Sequence, residues 1–469
     1  MIKKLNIKIS ILLISIIIIS SYFFTSLIIG KDKFNNLKSL LNDEQKQLIK
    51  KYIFPYKLIS EQKLIISKQQ KAISKQQEMM APFFLRLELQ KKDAGSDIVI
   101  KESVTKLSNN LTLKKYQLTS GFYAGINSSF PGSGFIDFFE GNIVILSSRG
   151  VLAFRSDLDN DKENFKQIKN NINKFIGLKQ FKKKNWFSLK DIFIFNDKVY
   201  ISYTEEIKKD CWNTSVIHGD MNYENIIFKK LFSPKKCVHS TNNIDGEFNA
   251  HQSGGRIISF DDKHILLSIG DYRSRYLAQD KQSINGKIIK INIDNNNYEI
   301  ISMGHRNPQG LYFDKENNFI LEAEHGPQGG DEINLIEVNK IIEGKIQNYG
   351  WAISSAGEHY GGKKESNKKK YEKYPLYNSH SEYGFIEPIK SFVPSIGISE
   401  IVKIKQNKYV VSSMGAKSIY FFELNNQKQV INLERVEVFD RVRDLIIRNN
   451  KLYLFMEVTA YIGVININK

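Results

Sequence analysis

Three hydrophobic patterns succeed one another along the chain. Residues 9–29, ISILLISIIIISSYFFTSLII, hold 21 positions without a charge. That is the length a helix needs to cross a bilayer core of about 30 Å. Lys3, Lys4 and Lys8 precede the run, which predicts a cytoplasmic N-terminus and export of the remainder of the chain. A cleaved signal peptide is the rival reading. Its apolar region is usually shorter and ends in small residues, whereas this run ends LIIGKDK. The expectation is an uncleaved signal-anchor within residues 1–30.

Residues 34–92 are polar, rich in Lys and Gln. Leu64, Ile65, Ile66, Ala72 and Ile73 give a weak helical pattern without a sustained heptad, and Pro55 and Pro82 interrupt it. Residues 31–110 are therefore expected to form a helical or irregular stalk.

From about residue 115 the pattern becomes short alternating strands. One unit recurs: an apolar strand, a tight polar turn and a second apolar strand. It occupies 135–150, 189–205, 256–271, 310–326, 398–415 and 442–458. The turns carry Asn, Asp or Gly, which tolerate the left-handed backbone of hairpins. Six copies at broadly similar intervals form an internal repeat, and in an all-β chain they predict a propeller over residues 111–469. Its blades are expected to be four-stranded and antiparallel. The long interval between the fourth and fifth copies holds GGKKESNKKKYEKYP (361–375), a charged insertion expected as a surface loop. In a propeller, loops from several blades meet at one mouth, so functional residues should come from distant parts of the sequence.

Composition narrows the class. The 469 residues are 41% hydrophobic and 12% aromatic, which excludes a disordered or collagen-like chain. The net charge is +18, but residues 1–92 hold 17 Lys/Arg against 6 Asp/Glu. The excess thus lies beside the apolar segment, and no RNP, helix-turn-helix or paired zinc-ligand pattern accompanies it, so a nucleic-acid partner is not expected. Two cysteines are too few for a four-Cys zinc module. If the propeller is exported, Cys211 and Cys237 meet an oxidising compartment and are expected to pair; two unpaired buried thiols are the alternative.

Three segments are richer in Gly, Pro and polar residues than strand connections need. They are NAHQSGGRI (249–257), GHRNPQGL (304–311) and EHGPQGGDEINLI (324–336), with QNYGW (347–351) close behind. His251 and His325 are candidate general bases, since His titrates near neutral pH without perturbation. Arg306 is a fixed cation suited to a developing oxyanion. Oxygen-rich loops near Asp331 and Glu332 suit a hard cation such as Ca²⁺.

In this order these segments resemble the PQQ-dependent glucose/sorbosone (aldose sugar) dehydrogenase family, a six-bladed β-propeller. The resemblance is strong over 249–351, moderate over 391–458, weak over 115–248 and absent before about 110. It implies that His251 is the base on a sugar C1 hydroxyl and that Arg306 and Asn307 contact the reactive quinone oxygens. It further implies that the carbonyls of Gly326 and Pro327 bind Ca²⁺, and that Arg441 and Arg443, in DRVRDL, hold the cofactor. Ser395, in VPSIG, occupies a hydroxyl position against the cofactor, and Gln279 is the candidate Gln in DYRSRYLAQD.

Four departures are visible. GSGFIDFFEG (132–141) lacks the family's first-blade Gln segment, Ala250 stands where some members carry Asp, and Gly415 stands where a cofactor-binding Lys is expected. Gln279 is all that remains of the usual Gln-bearing loop. Two readings stay open. One is an anchored quinoprotein on the periplasmic face of the inner membrane, oxidising an aldose to its lactone with an unidentified electron acceptor. The alternative is a non-catalytic propeller that binds a glycan or protein partner at the same mouth.

Overall fold

The computed structural model describes residues 42–43, 60–73, 99–118, 133–148, 150–156, 158, 165–176, 189–458 and 460–467. The expected membrane span, 9–29, lies outside the described residues. Among those described, no helix is long and apolar enough to cross a membrane. The chain divides into two units, Met1–Gln77 and Glu78–Lys469. In the first, residues 60–73 are helical and every side chain is exposed.

The second unit is a six-bladed β-propeller, and each of the six predicted hairpins forms the two inner strands of one blade. Blade 1 begins with Gly134–Phe139 and Asn142–Ser147; blade 2 with Leu189–Phe195 and Lys198–Lys208. Blades 3 and 4 begin with Gly254–Asp261 and His264–Ile269, then Pro308–Asp314 and Phe319–Glu324. Blades 5 and 6 begin with Ile398–Lys405 and Lys408–Ser413, then Val442–Arg448 and Lys451–Met456. Two-residue turns close several hairpins with both central residues left-handed, as at Asn196–Asp197 (φ 49° and 58°) and Asn449–Asn450 (φ 48° and 57°). That geometry matches the right-handed twist of the strands, and Asn and Asp tolerate it better than other side chains.

The innermost strands pack on one another in a closed ring. Hydrophobic cores lie between neighbouring blades instead of at one centre. Val144, Leu146 and Ile192, Val199 join blades 1 and 2, for example, and Leu321, Ile333 and Ile401, Tyr409 join blades 4 and 5. The ring is sealed where Thr112–Leu118, which precedes blade 1, pairs antiparallel with Tyr461–Asn466 of blade 6. A further strand, Val99–Lys106, extends this sheet to five. The propeller sheet thus reaches back before residue 111, through a segment whose interspersed charges hide its alternation.

Acidic side chains on inner strands also bridge blades. Asp444 accepts from Ile136 N at 2.8 Å, Asp137 from Ile194 N at 2.6 Å and Asp191 from Ile257 N at 2.7 Å. Arg256 gathers Asp191 (2.7 Å), Asp444 (2.9 Å) and Glu400 around itself in the buried channel.

Cys211 and Cys237 form a disulfide with Cα atoms 5.4 Å apart, as expected. The turn after Lys229–Phe232 returns the chain, so that Val238–His239 pairs with Trp212 and Cys211. The 361–375 insertion is more than a solvated loop. Tyr374 and Leu376 bury against Trp351 and Ala278. Tyr374 OH donates to Asp245 at 2.7 Å, and Lys373 pairs with the same carboxylate at 2.9 Å. The insertion therefore clasps the segment leading into His251.

Candidate active site

The bulges of the inner strands set up the site. Five of the six inner hairpins slip register near their start: between Leu189 and Asp191, Gly254 and Ile257, Pro308 and Gly310, Ile398 and Ile401, and Val442 and Asp444. Blade 1 alone pairs without a slip. A bulge places an extra residue against the partner strand and re-aims its side chain. At three of these slips the extra residue is Lys190, Gln309 or Arg443, and all three line one cavity of about 250 Å³ at the channel mouth.

Six of the candidate residues line that cavity together: His251, Arg306, Asn307, His325, Arg441 and Arg443. They come from four separate stretches of sequence. His251 sits in a short 3₁₀ turn, Ala250–Gln252, whose N-cap Asn249 accepts from His251 N at 2.8 Å. This cap fixes the backbone that presents the imidazole. Burial pushes the His251 imidazole well below its ordinary value, and the nearby cations Lys190, Arg443 and Arg441 push it the same way. It is therefore neutral at physiological pH and able to accept a proton.

Arg306 is held from several directions. Its N–H donates to Glu324 at 2.6 Å, and its guanidinium donates to His325 O at 2.8 Å and to Tyr360 OH at 3.3 Å. The guanidinium also lies over the Trp351 ring at 5.4 Å. Gln252, with its amide oxygen turned inward, accepts from Arg306 at 2.8 Å and from Arg273 at 3.1 Å. Asn307 accepts from Gly254 N at 3.1 Å, linking blades 3 and 4 at the mouth. Glu457, only 1% exposed, holds Arg441 Nε at 2.7 Å with one oxygen and Arg443 Nε at 2.8 Å with the other. Burial raises this carboxyl, but the two guanidiniums outweigh it and hold it below the usual range.

The remaining expected residues lie elsewhere. Gln279 donates to Trp351 O at 2.7 Å and exchanges hydrogen bonds with Asn348, so it staples the NYGW loop and is not part of the cavity lining. Ser395 is also outside the lining; its hydroxyl donates to Pro327 O at 3.4 Å. Gly326 and Pro327 directly follow the lining residue His325 in a loop curled tightly on itself. A Cβ on Gly326 would meet Gly330 O at 1.8 Å, so the loop requires glycine there. Gly326 N donates to Asp331, and the other oxygen of that carboxylate accepts from Gly397 N at 2.6 Å.

Gly415 packs on the backbone of the preceding loop, where a Cβ would meet Ile396 O at 2.7 Å. Lysine cannot stand there without moving that loop. A lysine reaches the cavity from another blade instead. Lys190 donates to Ala250 O at 3.1 Å, and burial, assisted by Arg443, lowers its ammonium to about 7. Lys190, Arg273, Tyr360 and Glu457 were not singled out in the sequence. A signal existed for Lys190, since the bulge positions recur as Lys-Asp-Ile, Gln-Gly-Leu and Arg-Asp-Leu at 190, 309 and 443. Lys190, Arg273, Arg306, Arg441 and Arg443 face a single lining carboxylate, Glu457. Such a cavity is built for a multiply charged anion.

The glucose/sorbosone dehydrogenase family model matches residues 187–460, more than half of the chain. The chain belongs to this family. Among its relatives, an aldose sugar dehydrogenase of Escherichia coli is 35% identical over 123 residues, 23% of this chain and 31% of the relative. The quinoprotein glucose dehydrogenase B of Acinetobacter calcoaceticus is 34% identical over 131 residues, 22% of this chain and 26% of the relative. The chain spans half or less of the length of the curated relatives it matches. The solved PQQ-bound aldose sugar dehydrogenase of Streptomyces coelicolor shares the fold, with a TM-score of 0.53 at 16% identity, covering 80% of this chain and 99% of that one.

Proposed function

We propose that this protein is a PQQ-dependent sugar dehydrogenase that oxidises an aldose at C1 to the lactone. The observation that carries the reading is the convergence of four guanidiniums, Lys190 and a neutral imidazole, His251, at one mouth. The residues fit the cofactor: PQQ is a tricarboxylate, and Lys190, Arg441 and Arg443 offer it charge-assisted hydrogen bonds. Lys190 fills the role that Gly415 has vacated.

The carbonyls of Gly326 and Pro327 would hold the Ca²⁺, and PQQ, when bound, would supply the hydride acceptor for sugar C1. His251 takes the proton from the C1 hydroxyl. Arg306 and Asn307, which line the same cavity, would stabilise negative charge on the acceptor. Arg306 is already fixed by Glu324, His325 and Gln252, so its alignment costs little at the moment of reaction. Ser395 steadies the calcium loop through Pro327 O, and Gln279 shapes the NYGW loop behind Arg306.

We further propose that residues 9–29 anchor the propeller to the inner membrane with the mouth on the periplasmic side, as the uncharged run and its preceding lysines suggest. A reporter fused after Lys92 should be active only outside the cytoplasm. The catalytic reading is tested by adding PQQ and Ca²⁺ to the purified full chain and following the cofactor's absorbance on addition of aldoses. Absorbance bleaching by an aldose supports it. Failure to take up PQQ under saturating Ca²⁺ overturns it in favour of a propeller that binds a glycan or protein without chemistry.

A further inference from the structure

Behind Arg306 lies a second cluster that sugar oxidation does not use. His305 and Glu322 are 0% exposed and Glu324 is 3% exposed. One ligating atom of each lies within 4.8 Å of the others. His305 Nδ1 stands 3.7 Å from Glu322 Oε2 and 3.6 Å from Glu324 Oε1, too far for a hydrogen bond to either. That nitrogen has no hydrogen-bond partner, and neither do Glu322 Oε1 and Asn334 Oδ1. Buried polar atoms are nearly always paired, so several orphans around one point need an explanation.

The other ring nitrogen is occupied: His305 Nε2 lies 2.8 Å from Ser302 Oγ. If Nε2 carries the proton, Nδ1 presents a lone pair toward the two carboxylates. Asn334 Nδ2 donates to Glu322 Oε2 at 3.0 Å and to Glu324 Oε1 at 3.2 Å, the same two oxygens that face His305 Nδ1, and so holds them side by side. Among the described residues neither carboxylate has a Lys or Arg ion partner, so the cluster carries two uncompensated negative charges when ionised.

The geometry points to a divalent transition-metal site of the zinc class, ligated by His305 Nδ1, Glu322 and Glu324. Bonds of about 2.1 Å in tetrahedral geometry set ligands about 3.4 Å apart, slightly less than the 3.7 and 3.6 Å from His305 Nδ1 to the two carboxylates. Calcium suits the site poorly, because it takes six to eight oxygens at longer range. The ion would brace the site, because Glu324 Oε2 accepts from the backbone N–H of Arg306 at 2.6 Å. It takes no part in the sugar chemistry itself.

The test uses the full-length chain, stripped with a chelator and returned to saturating Ca²⁺ so that oxygen-only sites are filled. Co²⁺ is then titrated and its visible d–d absorption recorded. The expected result is one Co²⁺ per chain with nitrogen-and-oxygen ligation, together with a rise in melting temperature. Both effects should vanish in Glu322→Gln, which preserves side-chain shape, and in His305→Ala. No Co²⁺ uptake by the wild type in the presence of Ca²⁺ overturns the assignment, and that measurement stands even should both variants fail to fold. Undiminished uptake by a folded Glu322→Gln overturns it as well. Loss of uptake in His380→Ala with retention in Glu322→Gln would place the ion at the neighbouring Glu332–His380 pair and also refute it.

Discussion

Lys190 donates from Nζ to the carbonyl oxygen of Ala250 at 3.1 Å, tying the innermost strand of blade 2 to the residue before His251. Burial, then Arg443, lowers this ammonium to about 7. Because the folded value lies below the ordinary 10.5, protonation favours the unfolded chain. The resulting penalty is absent above pH 10.5, grows as pH falls and is complete below about 7. Lys190→Met should therefore melt higher than the wild type at pH 7 without cofactor, and this advantage should fade by pH 10.5. An anionic cofactor reverses the balance by holding the protonated form. The same variant should bind PQQ about 10- to 100-fold more weakly, the worth of a charge-assisted hydrogen bond. Wild-type affinity should fall as pH rises above 7, and the variant's should not. Titration calorimetry across pH 6–9 checks both; equal pH slopes would remove Lys190 from the cofactor's surroundings.

His251→Ala should lower turnover by about 10²–10⁴-fold while PQQ uptake is retained, because a positioned base contributes that much. Burial and nearby cations lower the imidazole, so it stays neutral below the pH at which a free histidine protonates. The acid limb of kcat/KM should accordingly fall below pH 6.5, the ordinary histidine value. A limb at or above 6.5 would point to another base.

The fold was largely legible because its signals are local. Each blade's inner hairpin carries a period-2 strand, an Asn, Asp or Gly turn and a second strand, all within one short window. The site was legible only in part. His251, Arg306 and Asn307 stand in Gly- and Pro-rich segments whose composition marks them. Lys190 sits inside an ordinary strand, LKDIFIF, and reaches the cavity only through a register slip on Lys198–Lys208. Tyr360 arrives with an insertion whose lysine-rich sequence reads as solvated surface, while its tyrosines do the anchoring. Gln279 had the right residue type, but its amide is used up by Asn348 and Trp351.

The Cys211–Cys237 bond closes a loop of 26 residues at the outer edge of blade 2. Replacing both cysteines with serine should cost about 3 kcal/mol on the loop-entropy account. Chemical denaturation of the oxidised protein against the double variant measures this directly. Reduction of the wild type should reproduce the variant's midpoint.

The channel network makes the last prediction. Arg256 is the cation shared by Asp191, Asp444 and Glu400, and its side chain is 8% exposed. Removing one partner of a buried ion cluster leaves charge uncompensated and costs about 3–5 kcal/mol. Arg256→Met, which keeps much of the apolar stem, should lose about that much at pH 8. The pH dependence separates charge from packing. Burial raises all three carboxyls, Glu400 to about 8, even with Arg256 in place. A carboxyl whose folded value exceeds its unfolded value stabilises fully below the unfolded value, and that contribution is lost as pH rises through the folded one. Without the guanidinium these values climb further, so the three acids fold neutral over a wider range. The deficit of Arg256→Met should therefore shrink steadily from pH 10 to pH 7, as Glu400 of the wild type, at about 8, regains its proton, measured by denaturant unfolding at each pH. A deficit that stays constant across that range would mean that Arg256 acts through its packing and not through its charge.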